Sequence, residues 1–152
     1  MGSMTSRVVR LLIFPLALIL LPGCATHLFP DYNPAGRNLA GQMLYAGTKR
    51  TFVGEFTVRR SPTDFALDVT KGPGMQLILL RESDDNLVRV EAMGHTWQGN
   101  PQHFVPRQVR NWVALREVFS GGSPAGAHVT REPKRITVDF ADGERFVFHI
   151  NG

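Results

Sequence analysis

Apolar residues recur at every second position through most of the chain, and at helical spacing in one clear stretch. In residues 51–59, Phe52, Gly54, Phe56 and Val58 share one phase, while Thr51, Glu55, Thr57 and Arg59 hold the other. That alternation predicts a strand with one face in water. Ser61-Pro62-Thr63-Asp64 has turn chemistry. Phe65, Leu67 and Val69 then alternate with Asp68 and Thr70, up to a break at Gly72-Pro73-Gly74. Residues 75–81 are more continuously apolar, which predicts a third strand covered on both faces. After a polar turn at residues 82–86, Val88, Val90 and Ala92 oppose Arg89 and Glu91. Gly94 leads into a short fifth strand at residues 95–98. Turn signals at this regular spacing describe an antiparallel meander.

The period then changes. In residues 106–119, Val109, Trp112, Val113 and Arg116 fall on one helical stripe, joined by Leu115 and Phe119. Pro106 suits the first turn of this amphipathic helix, and Gly121-Gly122 suits its stop. Residues 120–128 read as a Gly/Pro/Ser loop. Ile136, Val138 and Phe140 alternate with Thr137 and Asp139. Asp142-Gly143 is a two-residue hairpin signal, and Phe146, Phe148 and Ile150 alternate with Arg145, Val147 and His149. The expected fold is mainly β (α+β): a curved antiparallel sheet or half-barrel covered by one amphipathic helix.

Upstream of this pattern, Leu39, Met43 and Leu44 stand near helical spacing, which suggests a short helix weakened by Gly41 and Gly47. Residues 25–37, with two prolines and little periodicity, read as a tether. Earlier still, a short basic segment carrying Arg7 and Arg10 precedes the uncharged residues 11–21. Such a run is too short to span a bilayer, which takes about 20 apolar residues, but it fits the apolar region of a signal peptide. Leu21-Pro22-Gly23-Cys24 follows directly and resembles the lipobox of bacterial lipoproteins. The resemblance implies cleavage before Cys24, lipid attachment at its sulfur and acylation of its amine. Pro22 departs from the small or aliphatic residue usual there. Ala25, in place of Asp, implies sorting to the outer membrane. The organisation expected is a signal peptide at 1–23, a tether with a short helix at 24–48, and one β-rich domain at 49–152.

Composition sharpens this picture in three ways. A chain of 152 residues supports one domain. Its single cysteine, Cys24, rules out a disulfide framework or a cysteine-built zinc site. The formal charge of +4 falls to +2 once the signal arginines are removed. Export and the lack of a dense basic stripe then argue against a nucleic-acid partner. The histidines His27, His95, His103, His128 and His149 form no helical metal pair, although His95 and His103 flank a turn. Gly122-Ser123-Pro124-Ala125-Gly126 lacks nucleophile-elbow spacing, and the acidic residues Glu82, Asp84 and Asp85 lack the spacing of a calcium loop. No catalytic residue, metal site or cofactor is expected, and an enzyme is not supported.

The aromatic residues carry the functional reading. Phe52, Phe56, Phe65, Leu67, Leu79, Trp97, Trp112, Phe119, Phe146 and Phe148 are candidates either for a packed core or for the walls of an apolar concavity with the helix as its lid. Phe52-Val53-Gly54-Glu55-Phe56, the Gly72-Pro73-Gly74 break, Trp97-Gln98-Gly99 and the run from Pro106 to Leu115 resemble the LolA/LolB family of lipoprotein carriers. That resemblance implies an open half-barrel plugged by helices that binds lipoprotein acyl chains. It also implies an apolar residue on a protruding loop, whereas the hairpin tip at residues 82–86 has none. The expected function is therefore noncatalytic binding of a lipid or lipoprotein acyl chain by a lipid-anchored, periplasm-facing protein of the outer membrane. The alternative is a structural or assembly lipoprotein that holds a protein partner by its sheet edge or helix face. A cavity would favour the first; a filled core with an exposed edge strand would favour the second.

Overall fold

The computed structural model describes residues 37–83 and 85–152. The proposed signal peptide, Cys24 and most of the tether lie outside them. Six strands come first: β1 (Arg37–Ala46), β2 (Thr51–Arg60), β3 (Phe65–Thr70), β4 (Gln76–Glu82), β5 (Val88–Ala92) and β6 (His95–Gly99). A single helix among the described residues, α1 (Arg107–Phe119), precedes β7 (Ala127–Glu132), β8 (Arg135–Phe140) and β9 (Arg145–Ile150). All neighbours pair antiparallel in one unclosed sheet of order β6-β5-β4-β3-β2-β1-β9-β8-β7. The protein is thus mainly β, a curved sheet with one helix. The helix lies in the chain between the two edge strands, so each connector to it starts or ends at an edge.

The first strand corrects the sequence reading. Residues 39–45 form part of β1, not a short helix, and the domain begins at or before Arg37 rather than at residue 49. Leu39, Gly41, Met43 and Tyr45 hold the inward phase of the strand, and Leu44 on the other face pairs with Val147 of β9. The apolar Leu44 blurred the period of two, and Gly41 left a gap in it. The glycine has a steric reason: a Cβ at Gly41 would stand 1.9 Å from the carbonyl oxygen of His149. β1 is an interior strand, hydrogen-bonded to β2 on one side and β9 on the other.

Elsewhere the pattern holds, with local departures. The helix stops at a Schellman motif. Gly122 N–H donates to Glu117 O at 2.9 Å and Gly121 N–H to Val118 O at 3.1 Å, with Gly121 at φ +93°. The stretch read as a loop up to residue 128 already contains the start of β7. That strand is mostly exposed and offers little apolar alternation, but it is fixed by its ladder to β8. Asp142-Gly143 does turn the chain. The turn closes from Gly143 N–H to Phe140 O, with Gly143 alone at positive φ, so it is a longer loop than the two-residue form. β4 has one buried face, through Ile78 and Leu80, while Leu77 and Leu79 are only half-buried. It is therefore not fully covered on both faces.

The outer face carries its own polar lock. Asp68 on β3 accepts from Arg59 Nη2 (3.1 Å), from Arg81 Nη2 through both carboxylate oxygens (3.1 Å), and from Gln76 Nε2 (3.1 Å). Arg81 is buried in a strand, so its charge depends on this carboxylate. Asp68→Ala is expected to lower stability by about 2–3 kcal/mol in urea denaturation, because it strands a buried guanidinium. Arg59→Ala, at the wetter side of the cluster, is expected to cost under about 1 kcal/mol. Equal effects would refute this division of roles.

Candidate functional site

The inner face of the sheet meets α1 through two aromatic sockets. Trp112 enters one built by Tyr45 on β1, Phe52 on β2 and Phe146 on β9, with centroid distances of 5.1, 6.4 and 4.8 Å. Phe119, two helical turns on, enters another built by Phe56, Phe65 and Phe148 at 6.2, 6.2 and 4.9 Å. The i, i+7 spacing puts both rings on one face of the helix. Phe56 and Phe148 also meet edge to face at 5.1 Å, a favoured arrangement of ring quadrupoles.

Most of the candidate residues converge here. Phe56, Phe65, Leu67, Phe146 and Phe148 are buried on the inner face, and Trp112 and Phe119 are buried on the helix. Phe52 and Trp97 are half-buried and pack against the same core from its margin. Leu79 does not belong. Its cross-strand partners are Asp68 and Glu91, so it faces outward, and Ile78 and Leu80 point in. The unbroken run Leu77-Ile78-Leu79-Leu80 reads equally well in either phase, which is why sequence misplaced it. The residues proposed as cavity walls touch one another and the helix, and Trp112 is 1% exposed.

Polar groups tie the helix at both ends. Asn111, buried, donates from Nδ2 to Asp142 Oδ2 (2.9 Å) and Glu144 Oε2 (3.0 Å), and Tyr45 donates its hydroxyl to Glu144 Oε1 (2.9 Å). Burial, reinforced by the adjacent Glu144 carboxylate, holds the Tyr45 phenol well above its ordinary pKa. At the other end, Arg60 from β2 donates to Phe119 O, and Arg131 from β7 to Val118 O and Gly122 O. These cations also complement the negative end of the helix dipole. Arg116 Nε lies 3.1 Å from Glu82 Oε2. The contact is an ion pair rather than a directed hydrogen bond, since neither Nε nor Nη1 of Arg116, both buried, has a hydrogen-bond partner among the described residues. Burial raises the Glu82 carboxyl, and the charge of Arg116 offsets that only in part. Sequence pattern placed Arg116 on the apolar stripe but gave no sign of Arg60, Arg131 or Asn111 as helix anchors.

Clefts open at the two ends of the sheet. One of about 680 Å³ lies at the helix C-terminus, lined by Arg37, Arg60, Asp64, Phe65, Glu82 and Ser120 among others. Another of about 330 Å³ lies at the helix N-terminus, lined by Tyr45, Lys49, Arg50, Met93, His95, Trp112 and Glu144 among others. His95 opens β6 and His103 lies in the connector beyond its other end, and no metal-binding group of three or more His, Cys, Asp or Glu side chains occurs among the described residues.

Because Trp112 is buried against three rings, Trp112→Ala is expected to cost about 3–5 kcal/mol by urea denaturation. Phe148→Gln, which buries an amide without a partner, should unfold the domain by circular dichroism. A folded, fully stable Phe148→Gln protein would show that water reaches this face.

No family model matches the chain, and no curated protein matches it.

Proposed function

We propose that the protein is a lipid-anchored lipoprotein of the outer membrane, facing the periplasm, that holds a protein partner at a free edge of its sheet without catalysis. The carrying observation is that the inner face is occupied. The side chains that an acyl chain would touch are spent on the Trp112 and Phe119 sockets. What remains open is strand edge. β6 and β7 bound the sheet, and each edge strand presents backbone N–H and C=O groups that can pair with another chain. The anchor rests on the Leu21-Pro22-Gly23-Cys24 motif. Residues 24–36 would reach at most about 45 Å from the bilayer to Arg37.

A second reading keeps the acyl-chain ligand suggested by the resemblance to lipoprotein carriers. One observation favours it: the helix hangs between connectors rich in breakers, with Pro101 and Pro106 before it and Gly121, Gly122, Pro124 and Gly126 after it. The inner face could receive a lipid only after the helix had left both sockets.

Two experiments separate these readings. Cys24→Ser is expected to abolish labelled-palmitate incorporation and release the protein from the membrane fraction; undiminished incorporation would end the lipoprotein proposal. A photo-crosslinking residue placed at Thr96 on β6 or Thr130 on β7 of the full chain in cells is expected to yield a discrete protein adduct at one edge, with none from Glu55 on the outer face. No adduct from either edge, together with saturable binding of a fluorescent fatty acid displaced by palmitate, would replace the partner reading with the carrier.

A further inference from the structure

We infer that the edge at β6, with the connector that follows it, is the docking surface for an extended acidic peptide segment of the partner; this rests on the edge-binding reading above. Gly99 closes β6 level with Val88, Glu82, Phe65, Arg60 and Arg37, at one end of the sheet. The helix starts near Thr48 and Lys49, at the other end. Residues 100–106 must therefore run back along the length of β6. They do so without a backbone hydrogen bond to it among the described residues. Val105 is buried and anchors this connector, Arg110 Nη2 donates to Val105 O at 3.4 Å, and between His103 and Val105 the Phe104 side chain is 76% exposed. An aromatic ring held in water on a pinned loop is the kind of group that dominates interface energetics.

The chain segment around it carries charge of one sign. Residues 92–116 contain no Asp or Glu, but they include His95, His103, Arg107, Arg110 and Arg116. Arg116 turns to Glu82. Arg107 and Arg110 are exposed and form no salt bridge among the described residues. Arg107 does share a cleft with Lys49, Asp142 and Glu144, whose carboxylates already accept from Asn111 or Tyr45. A strand added to β6 would present alternate side chains to Phe104 and to these cations, so acidic residues on it would be complementary. The β7 edge carries exposed cations too, Lys134 and Arg135, but Glu132 stands among them, Arg131 is committed to the helix carbonyls, and no exposed large aromatic stands beside it among the described residues. An anionic bilayer fits less well than a peptide. Asp64 and Asp85 lie in turns at the same end of the sheet as Gly99, and Phe104 is one apolar residue rather than a face.

The test uses a fluorescein-labelled decapeptide of alternating valine and glutamate, read by fluorescence anisotropy, with the matching valine–lysine peptide and phosphatidylglycerol vesicles as comparisons. The acidic peptide is expected to bind saturably and to weaken about tenfold or more in Phe104→Ala and in the Arg107→Glu, Arg110→Glu double variant, with circular dichroism confirming the fold. Hydrogen exchange should slow on β6 in the complex. Equal binding of the basic peptide, indifference to these substitutions, or binding to vesicles but not to the peptide would each overturn the inference. Protection appearing on β7 instead would overturn it while leaving the edge-binding function standing.

Discussion

The insertion of Trp112 and Phe119 into two aromatic sockets is the contact on which the rest of this structure depends. A nine-stranded open sheet has too much apolar inner face to leave wet, and one helix of 13 residues is the only covering layer among the described residues. Covering that face with so short an element requires the sheet to curl around it. The sockets are drawn from the consecutive strands β1, β2 and β3 and from β9, which is distant in sequence but adjacent to β1 in the sheet. Folding therefore has to bring β9 home to β1 before either socket is complete. Its contacts are long-range, as expected of a slow-folding β topology.

Apolar contact alone would let the helix slide along the groove, and the polar anchors set its position. Arg60 and Arg131 reach its last carbonyls from strands on opposite sides of β1, so the C-terminal end is held between the two wings of the sheet. Asn111 fixes the other end against the β8–β9 turn. These bonds lie at the ends of the aromatic core, where the backbone and carboxylate acceptors are also found. The same arrangement leaves the edges unprotected: the sheet never closes, and the function proposed here follows from what closure would have removed.

Much of this was legible in the sequence. Strands such as β2, β3 and β5 alternate cleanly because one face of each is wet, and the helix announced itself by period, by Pro106 and by its glycine stop. The failures share a cause, which is that apolar residues on the outer face, or too few on the inner one, erase alternation. β1 carries Gly41 on its inward phase, where a side chain would strike His149, and sets Leu44 against Val147 on the outer face. β7 is nearly all exposed and is held by backbone pairing, which leaves no mark in hydropathy. Leu79 lay in an apolar run with no phase to read. Among the site residues, the aromatic set was found by phase, but whether it enclosed space or filled it depended on where the helix sat, and that is a tertiary fact. Phe104, which has no periodic neighbour, could be recognised only by its exposure.

The central claim is that the inner face is a filled core rather than a ligand chamber. Native mass spectrometry of the protein released from the membrane tests it most directly, because a lipid held under the helix would survive gentle transfer as a discrete added mass. The account predicts the mass of the anchored chain alone, unchanged when palmitate is supplied in excess. A stoichiometric lipid adduct, lost on Trp112→Ala in protein that remains folded, would contradict it.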